Sequence, residues 1–459
     1  MVGQLKSRVM ITFLRLFLCF PAFLIPLTSK GDSATWNTNP ATNEWDDPGN
    51  WTPQTIPYGE SDIATFGPSN VITVELRDLP NEDSNTVGEV VFTSDAPAYT
   101  ITMAPLLDAG FSSILEFHGA GIINNSLSVQ NFYAPATGSI HASGRFYFFG
   151  SSSAGENVVI TNGGSDSDED DGNYGGFTEF DDTSTAADAM IISQGGTVSG
   201  AVWGGFCNLV GSSNADRATF VNQPGSVSGA PAGHTLVQTF SPGNIGKSTF
   251  INNPATVAGV EGGWSEIDVG ICAGASFIAE GSAITGAQGG QIYVYGGSGN
   301  ATFSGEGGTA SGGEGGLIDL FALPNSSQTV VIAKAGKSGG LGGHIVIENK
   351  AVVDMGQFRL LGNGWLDLSA ITNGKTAIGS LAGSGLVSTA GQTLTVGDNN
   401  LDTTFSGMIE EGGAISKVGT GSLTLSGGNT YTGGTTVSAG SLLVDNTSGS
   451  ATGTKAVKV

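Results

Sequence analysis

The chain has 459 residues, of which 74 are glycine and only 12% are charged, and its formal net charge is −24. Nucleic acid is thereby excluded as a partner, because phosphate binding needs a basic footprint. Gly, Ala, Ser, Thr and Val dominate without the Leu, Glu and Lys excess of helical domains, which points to many short strands joined by tight turns.

At the N-terminus Lys6, Arg8 and Arg15 precede an apolar run from Leu16 to Leu27. The run is too short to span a bilayer as a stable helix, so residues 1–31 are predicted to be a secretory signal peptide. Small residues at Ser29 and Gly31, or at Gly31 and Ser33, suit a signal peptidase. Cys19 follows Leu18, which is bulky where lipid-attachment sequences carry a small residue. Cleavage leaves 12 basic against 40 acidic residues, a charge of −28, and only Cys207 and Cys272 as thiols. These two allow one bridge or two free core thiols. The acidic surface favours divalent cations and basic or neutral partners. No other segment reaches transmembrane length, so no transmembrane anchor is expected.

Residues 32–110 carry three of the six tryptophans, Trp36, Trp45 and Trp51, together with Pro40, Pro48, Pro53 and Pro57. They are expected to form a β-rich N-terminal cap over an otherwise open sheet edge. The alternative for the three indole rings is stacking against carbohydrate.

Residues 111–400 are expected to be glycine-rich coils. A small-small-aromatic strand recurs as Ala218-Thr219-Phe220, Ser248-Thr249-Phe250, Ala275-Ser276-Phe277 and Ala301-Thr302-Phe303, with aromatic positions 30, 27 and 26 apart. Gly-Gly or Ala-Gly steps end at Gly205, Gly233, Gly263, Gly290, Gly316 and Gly343, at spacings of 28, 30, 27, 26 and 27. Each step leads into a run of period-two alternation, such as QIYVYG from Gln291 or HIVIEN from His344. One fixed period with several short strands per unit marks a solenoid, whose units bury their apolar faces only by stacking. Three strands per unit of about 27 residues fit a coil of a parallel β-helix, with Phe220, Phe250, Phe277 and Phe303 as an internal stack. Glycines suit its sharp corners, where some residues need positive φ.

Candidate chemistry is sparse. The acid-rich stretch places Asp166, Asp168, Asp170 and Asp171 together, hard oxygen ligands that suit Ca²⁺ as a candidate cofactor. An EF-hand starting at Asp166 fails, with Asp171 where glycine is needed and Phe177 where the bidentate Glu belongs, so a solvated acidic loop is the plainer expectation. Gly336-Lys337-Ser338-Gly339-Gly340 satisfies G-x-S-x-G, but it lies in a glycine-rich turn with no following helix. Gly246-Lys247-Ser248 lacks the earlier glycine of a P-loop. His118, His141, His234 and His344 show no paired metal spacing, and His234 and His344 each open a strand after a glycine step, a stacked structural position. Arg77, Arg145, Arg217 and Arg359 are too scattered to serve an acidic sugar. Glu266 and Asp268 are a carboxylate pair that coil stacking can bring against others.

Residues 401–459 form a distinct terminal segment. Gly419-Thr420-Gly421-Ser422-Leu423-Thr424-Leu425 leads to Asn429-Thr430-Tyr431-Thr432-Gly433-Gly434-Thr435-Thr436-Val437 and then to Ala439-Gly440-Ser441-Leu442. This resembles the autotransporter-associated β-strand repeat of bacterial passenger regions. The resemblance implies a right-handed parallel β-helix, export to the cell surface or medium of a bacterium, and no catalytic residues. After Gly453 no alternating membrane strands appear, so the expectation is a passenger fold without its own transporter. The combined expectation is a secreted, non-catalytic β-helical structural or adhesive surface protein, with extracellular polysaccharide or cell-surface components as partners. A carbohydrate-active or carbohydrate-binding β-helix is the alternative.

Overall fold

Period-two alternation decides which way each side chain points. In the strand Thr219–Asn222 the buried residues are Phe220 and Asn222, while Thr219 and Val221 are only partly covered. In Phe206–Gly211 the inward pair is Cys207 and Leu209. One face of these strands is thus largely buried and too small to fold alone, so it is covered by stacking coil on coil. The computed structural model describes residues 32–459 except 78–83, 105–111, 138–141, 169–174, 240–242, 271, 273, 298 and 324–325. The signal peptide expected at residues 1–31 lies outside the described residues.

The result is an all-β parallel β-helix. One sheet has 15 strands, from Thr73–Leu76 to Ser441–Val444, each paired in parallel with the next. A second has 17 strands and is parallel apart from two short pairings, Ala34–Trp36 with Trp51–Thr52 and Ala136–Thr137 with Ala142–Phe148. At about 4.8 Å per strand step the 15-stranded sheet extends about 70 Å.

The four phenylalanines lie in one register: Phe220 opposes Phe250, Phe250 opposes Phe277, and Phe277 opposes Phe303. Their rings stack at 4.6, 4.5 and 5.1 Å. A second inner stack, Phe117–Phe148–Phe180 at 4.6 and 4.7 Å, runs up the opposite sheet. Each ring removed from water contributes about 1.5–3 kcal/mol.

Among the described residues the third strand expected in every coil is found from Lys375 onward, where Lys375–Ile378, Thr393–Val396, Ala414–Lys417, Thr435–Val437 and Val457–Lys458 make a five-stranded sheet. Earlier in the chain this side reduces to single bridges, Gly121 to Ser153, Thr185, Asn214 and Asn244. The coils shorten with the change, from 27 residues between Phe250 and Phe277 to 19 between Ser422 and Ser441. Protruding glycine-rich loops account for the difference.

The glycine steps owe their period to close approach. A Cβ on Gly263 would sit 2.0 Å from the backbone oxygen of Asn222, a distance no atom can occupy. Positive φ is needed elsewhere in the loop, at Gly259 with φ +74°. Parallel pairing also runs through residues 32–110, where Ala34 opposes Ala64 and Ala64 opposes Val90, and residues 31–459 form one compact unit.

Candidate functional site

The first residue after each glycine step faces outward on the 17-stranded sheet, and parallel register stacks these residues into a column. In order it reads Phe177, Phe206, His234, Trp264, Gln291, Leu317, His344 and Trp365. Its first four rings form a continuous stack, with Phe177 to Phe206 at 4.3 Å, Phe206 to His234 at 5.2 Å and His234 to Trp264 at 4.1 Å. The column resumes with His344 on Trp365 at 3.9 Å and an interplanar angle of 12°.

Between these runs the rings are replaced by Gln291 and Leu317. A cleft of about 270 Å³ opens there, lined by Gln291, Glu314, Leu317, Leu341, His344 and Trp365. Gln291 forms part of its lining with its amide engaged, donating from Nε2 to Gln288 Oε1 at 3.3 Å and accepting from the Tyr293 hydroxyl. Tyr293 also meets Trp264 edge-on at 6.1 Å.

A second outward column lies alongside, running Glu266, Tyr293, Asp319, Val346 and Asp367. Burial, then the nearby charge of Glu348, pushes the Asp319 carboxyl up to about 7, and its Oδ1 is buried without a hydrogen-bond partner. His344 Nε2 stands 3.6 Å from Asp367 Oδ2, and burial lowers the imidazole pKa against the opposing pull of that carboxylate. His234, enclosed between two rings, is lowered by burial to about 4 and is neutral near neutral pH.

The residues singled out from sequence fall in different places. Trp36, Trp45 and Trp51 are 2%, 3% and 0% exposed and pack around Phe66, with ring distances from 5.0 to 5.9 Å. Carbohydrate stacking needs an open ring face, so this geometry does not fit that alternative for the three rings. They are core. Asp166 and Asp168 are exposed, while Asp170 and Asp171 lie outside the described residues. Among the described residues no group of three or more His, Cys, Asp or Glu could hold a metal ion. Cys207 and Cys272 are buried free thiols. Arg77 pairs with Glu44 and Glu75 at 3.0 Å each, and Arg217 pairs with Asp188. Asp268 accepts from Gln238 at 2.7 Å. His118 pairs with Glu116 at 3.1 Å, and His141 lies outside the described residues. In sequence the outward ring column shows only as the positions that follow the glycine steps, a signal that Phe206, Trp264 and Trp365 share with His234 and His344.

A few polar residues of the terminal coils lie inside, among them Lys417, Asn429 and Thr435. Lys417, 1% exposed, donates from Nζ to the carbonyls of Val418, Gly419 and Ala439. Buried Tyr431 bonds Thr435 through its hydroxyl. Residues 415–444, which contain these groups, match the passenger-associated-transport-repeat family. The chain carries an autotransporter-associated repeat. In this autotransporter-associated repeat protein the matched segment runs through Ser422–Leu425, Thr435–Val437 and Ser441–Val444, in parallel register with the coils before it. No curated protein and no solved structure matches the chain. Among the described residues no helix is long and apolar enough to cross a membrane.

Proposed function

We propose that the protein is an exported, non-catalytic β-helical scaffold of the passenger type, displayed at or released from a bacterial surface. The observation that carries this reading is the passenger-associated-transport repeat at residues 415–444, stacked in parallel register on the same solenoid. The basic-then-apolar stretch from Lys6 to Leu27 supports it as an export signal. A net charge of −24 supports solubility outside the cell. Among the shifted titratable groups, Glu179 and His234 stand on strands paired neither with each other nor with those of Asp319 and His344, which favours a structural over a catalytic role for these two.

Fractionation of cells producing the chain with its own N-terminus, combined with N-terminal sequencing of the product, tests the export reading. A product beginning near Asp32 or Ala34 in the surface or medium fraction is expected. Retention in the cytoplasm with Met1 intact would overturn it. Incubation of the purified chain with neutral and uronate-rich polysaccharides tests the non-catalytic reading, which new reducing or unsaturated ends would sink.

A further inference from the structure

We propose that the break in the outer aromatic column is a glycan-binding cleft, holding a chain of neutral, flat-faced pyranose rings against the His344–Trp365 pair. The inference deepens the scaffold reading by giving it a ligand, but it rests on coil geometry and stands whether or not the chain is exported.

Register supplies the first argument. Trp264 and His344 are separated by three strand steps, about 14 Å, and the two positions between them hold Gln291 and Leu317 in place of rings. Rings stack at 3.9 to 5.2 Å on either side, whereas over these two steps the column carries the Gln291 and Leu317 side chains and no ring. The cleft of about 270 Å³ occupies that region.

Lining supplies the second. Leu317, Leu341 and the His344 and Trp365 rings offer apolar surface, while Gln288 and Glu314 bring an amide and a carboxylate to the same cleft. A pyranose presents C–H faces to the first group and hydroxyls to the second.

Charge supplies the third. No Lys or Arg is among the residues lining the cleft, Glu314 is, and the whole chain is at −24. Uronates and phosphates are therefore repelled, and neutral sugars or amino sugars are admitted.

Titration calorimetry on the purified full chain tests the proposal, with cellohexaose, its N-acetylated amino-sugar counterpart, a galacturonate oligomer and a tyrosine-rich peptide as probes. At least one of the two neutral oligomers is expected to bind and the galacturonate oligomer is not. Trp365→Ala should weaken binding by about tenfold or more, while Trp365→Tyr, which keeps a ring, retains it. Leu317→Trp should fill the gap and abolish binding without lowering the melting temperature. Trp203→Ala, at an exposed ring outside the cleft, should bind as the parent does. The proposal is overturned if neither neutral oligomer binds, if galacturonate or the peptide binds as well as they do, or if a folded Leu317→Trp protein keeps the parent affinity.

Discussion

The side-chain amide of Asn222 donates to Asn252 Oδ1 at 2.8 Å, and both residues are fully buried at the C-terminal ends of paired strands of the 15-stranded sheet. Asn222 also donates to the backbone oxygen of Trp264 and accepts from Thr235 Oγ1 at 2.9 Å. Asn252 accepts from Ser265 Oγ at 2.9 Å and donates to the backbone oxygen of Gln291. These coils are thus tied to their neighbours by side chains that replace water for backbone oxygens. Asn222→Ala removes the acceptor of the Thr235 hydroxyl, the side-chain donor to the Trp264 carbonyl and one of the two donors to Asn252 Oδ1, and it opens a void. A loss of about 2–5 kcal/mol is expected from denaturant unfolding, larger than for an outward change such as Val221→Ala in the same strand.

Phe277 lies between Phe250 and Phe303 in the inner stack. Phe277→Ala removes both ring contacts and is expected to cost about 3–5 kcal/mol, whereas Phe277→Leu, which nearly keeps the volume, should cost less than about 2 kcal/mol. Chemical denaturation of the two variants checks the ratio. Equal losses would mean that the column repacks freely.

The glycines separate into two kinds of sensitivity. Gly263→Ala forces a Cβ to within 2.0 Å of a backbone oxygen in a neighbouring coil and should abolish soluble folded protein. Gly374 has φ +87° but nothing within 4 Å of an added Cβ, so Gly374→Ala should cost only about 1–2 kcal/mol of backbone strain. Expression yield and melting temperature distinguish the two.

Acid pH should pull the fold in two directions. His234 is lowered to about 4, below its unfolded value of 6.5, so stability present above 6.5 is lost as pH falls through about 4, on the order of 3 kcal/mol. Asp319 has the opposite sign. Its folded value of about 7 exceeds the ordinary 3.8, so its contribution is full below 3.8 and is lost as pH rises through about 7. Melting curves between pH 7 and 4 should show His234→Phe, which keeps the stack, more acid-resistant than the parent, and Asp319→Asn less so. Parallel profiles for all three proteins would count against both assignments.

The sequence by itself determined the period, the inward Phe220–Phe303 column and the solenoid class. In a stacked fold each unit meets mainly its neighbours, so a residue recurring at the coil length recurs in space, and Gly263 or Phe250 carries its role in its spacing. The terminal repeat was equally legible, because residues 415–444 are a local motif. Tertiary structure alone decided the rest. Trp36, Trp45 and Trp51 converge on Phe66 through pairings that no spacing predicts, and so lie in the core. The outer cleft is defined by two absent rings, Gln291 and Leu317, and an absence becomes visible only when the residues above and below are set in register. Whether a coil has a third strand or a loop depends on closing the polypeptide around its core, a condition on whole turns of the chain that no short stretch of residues contains.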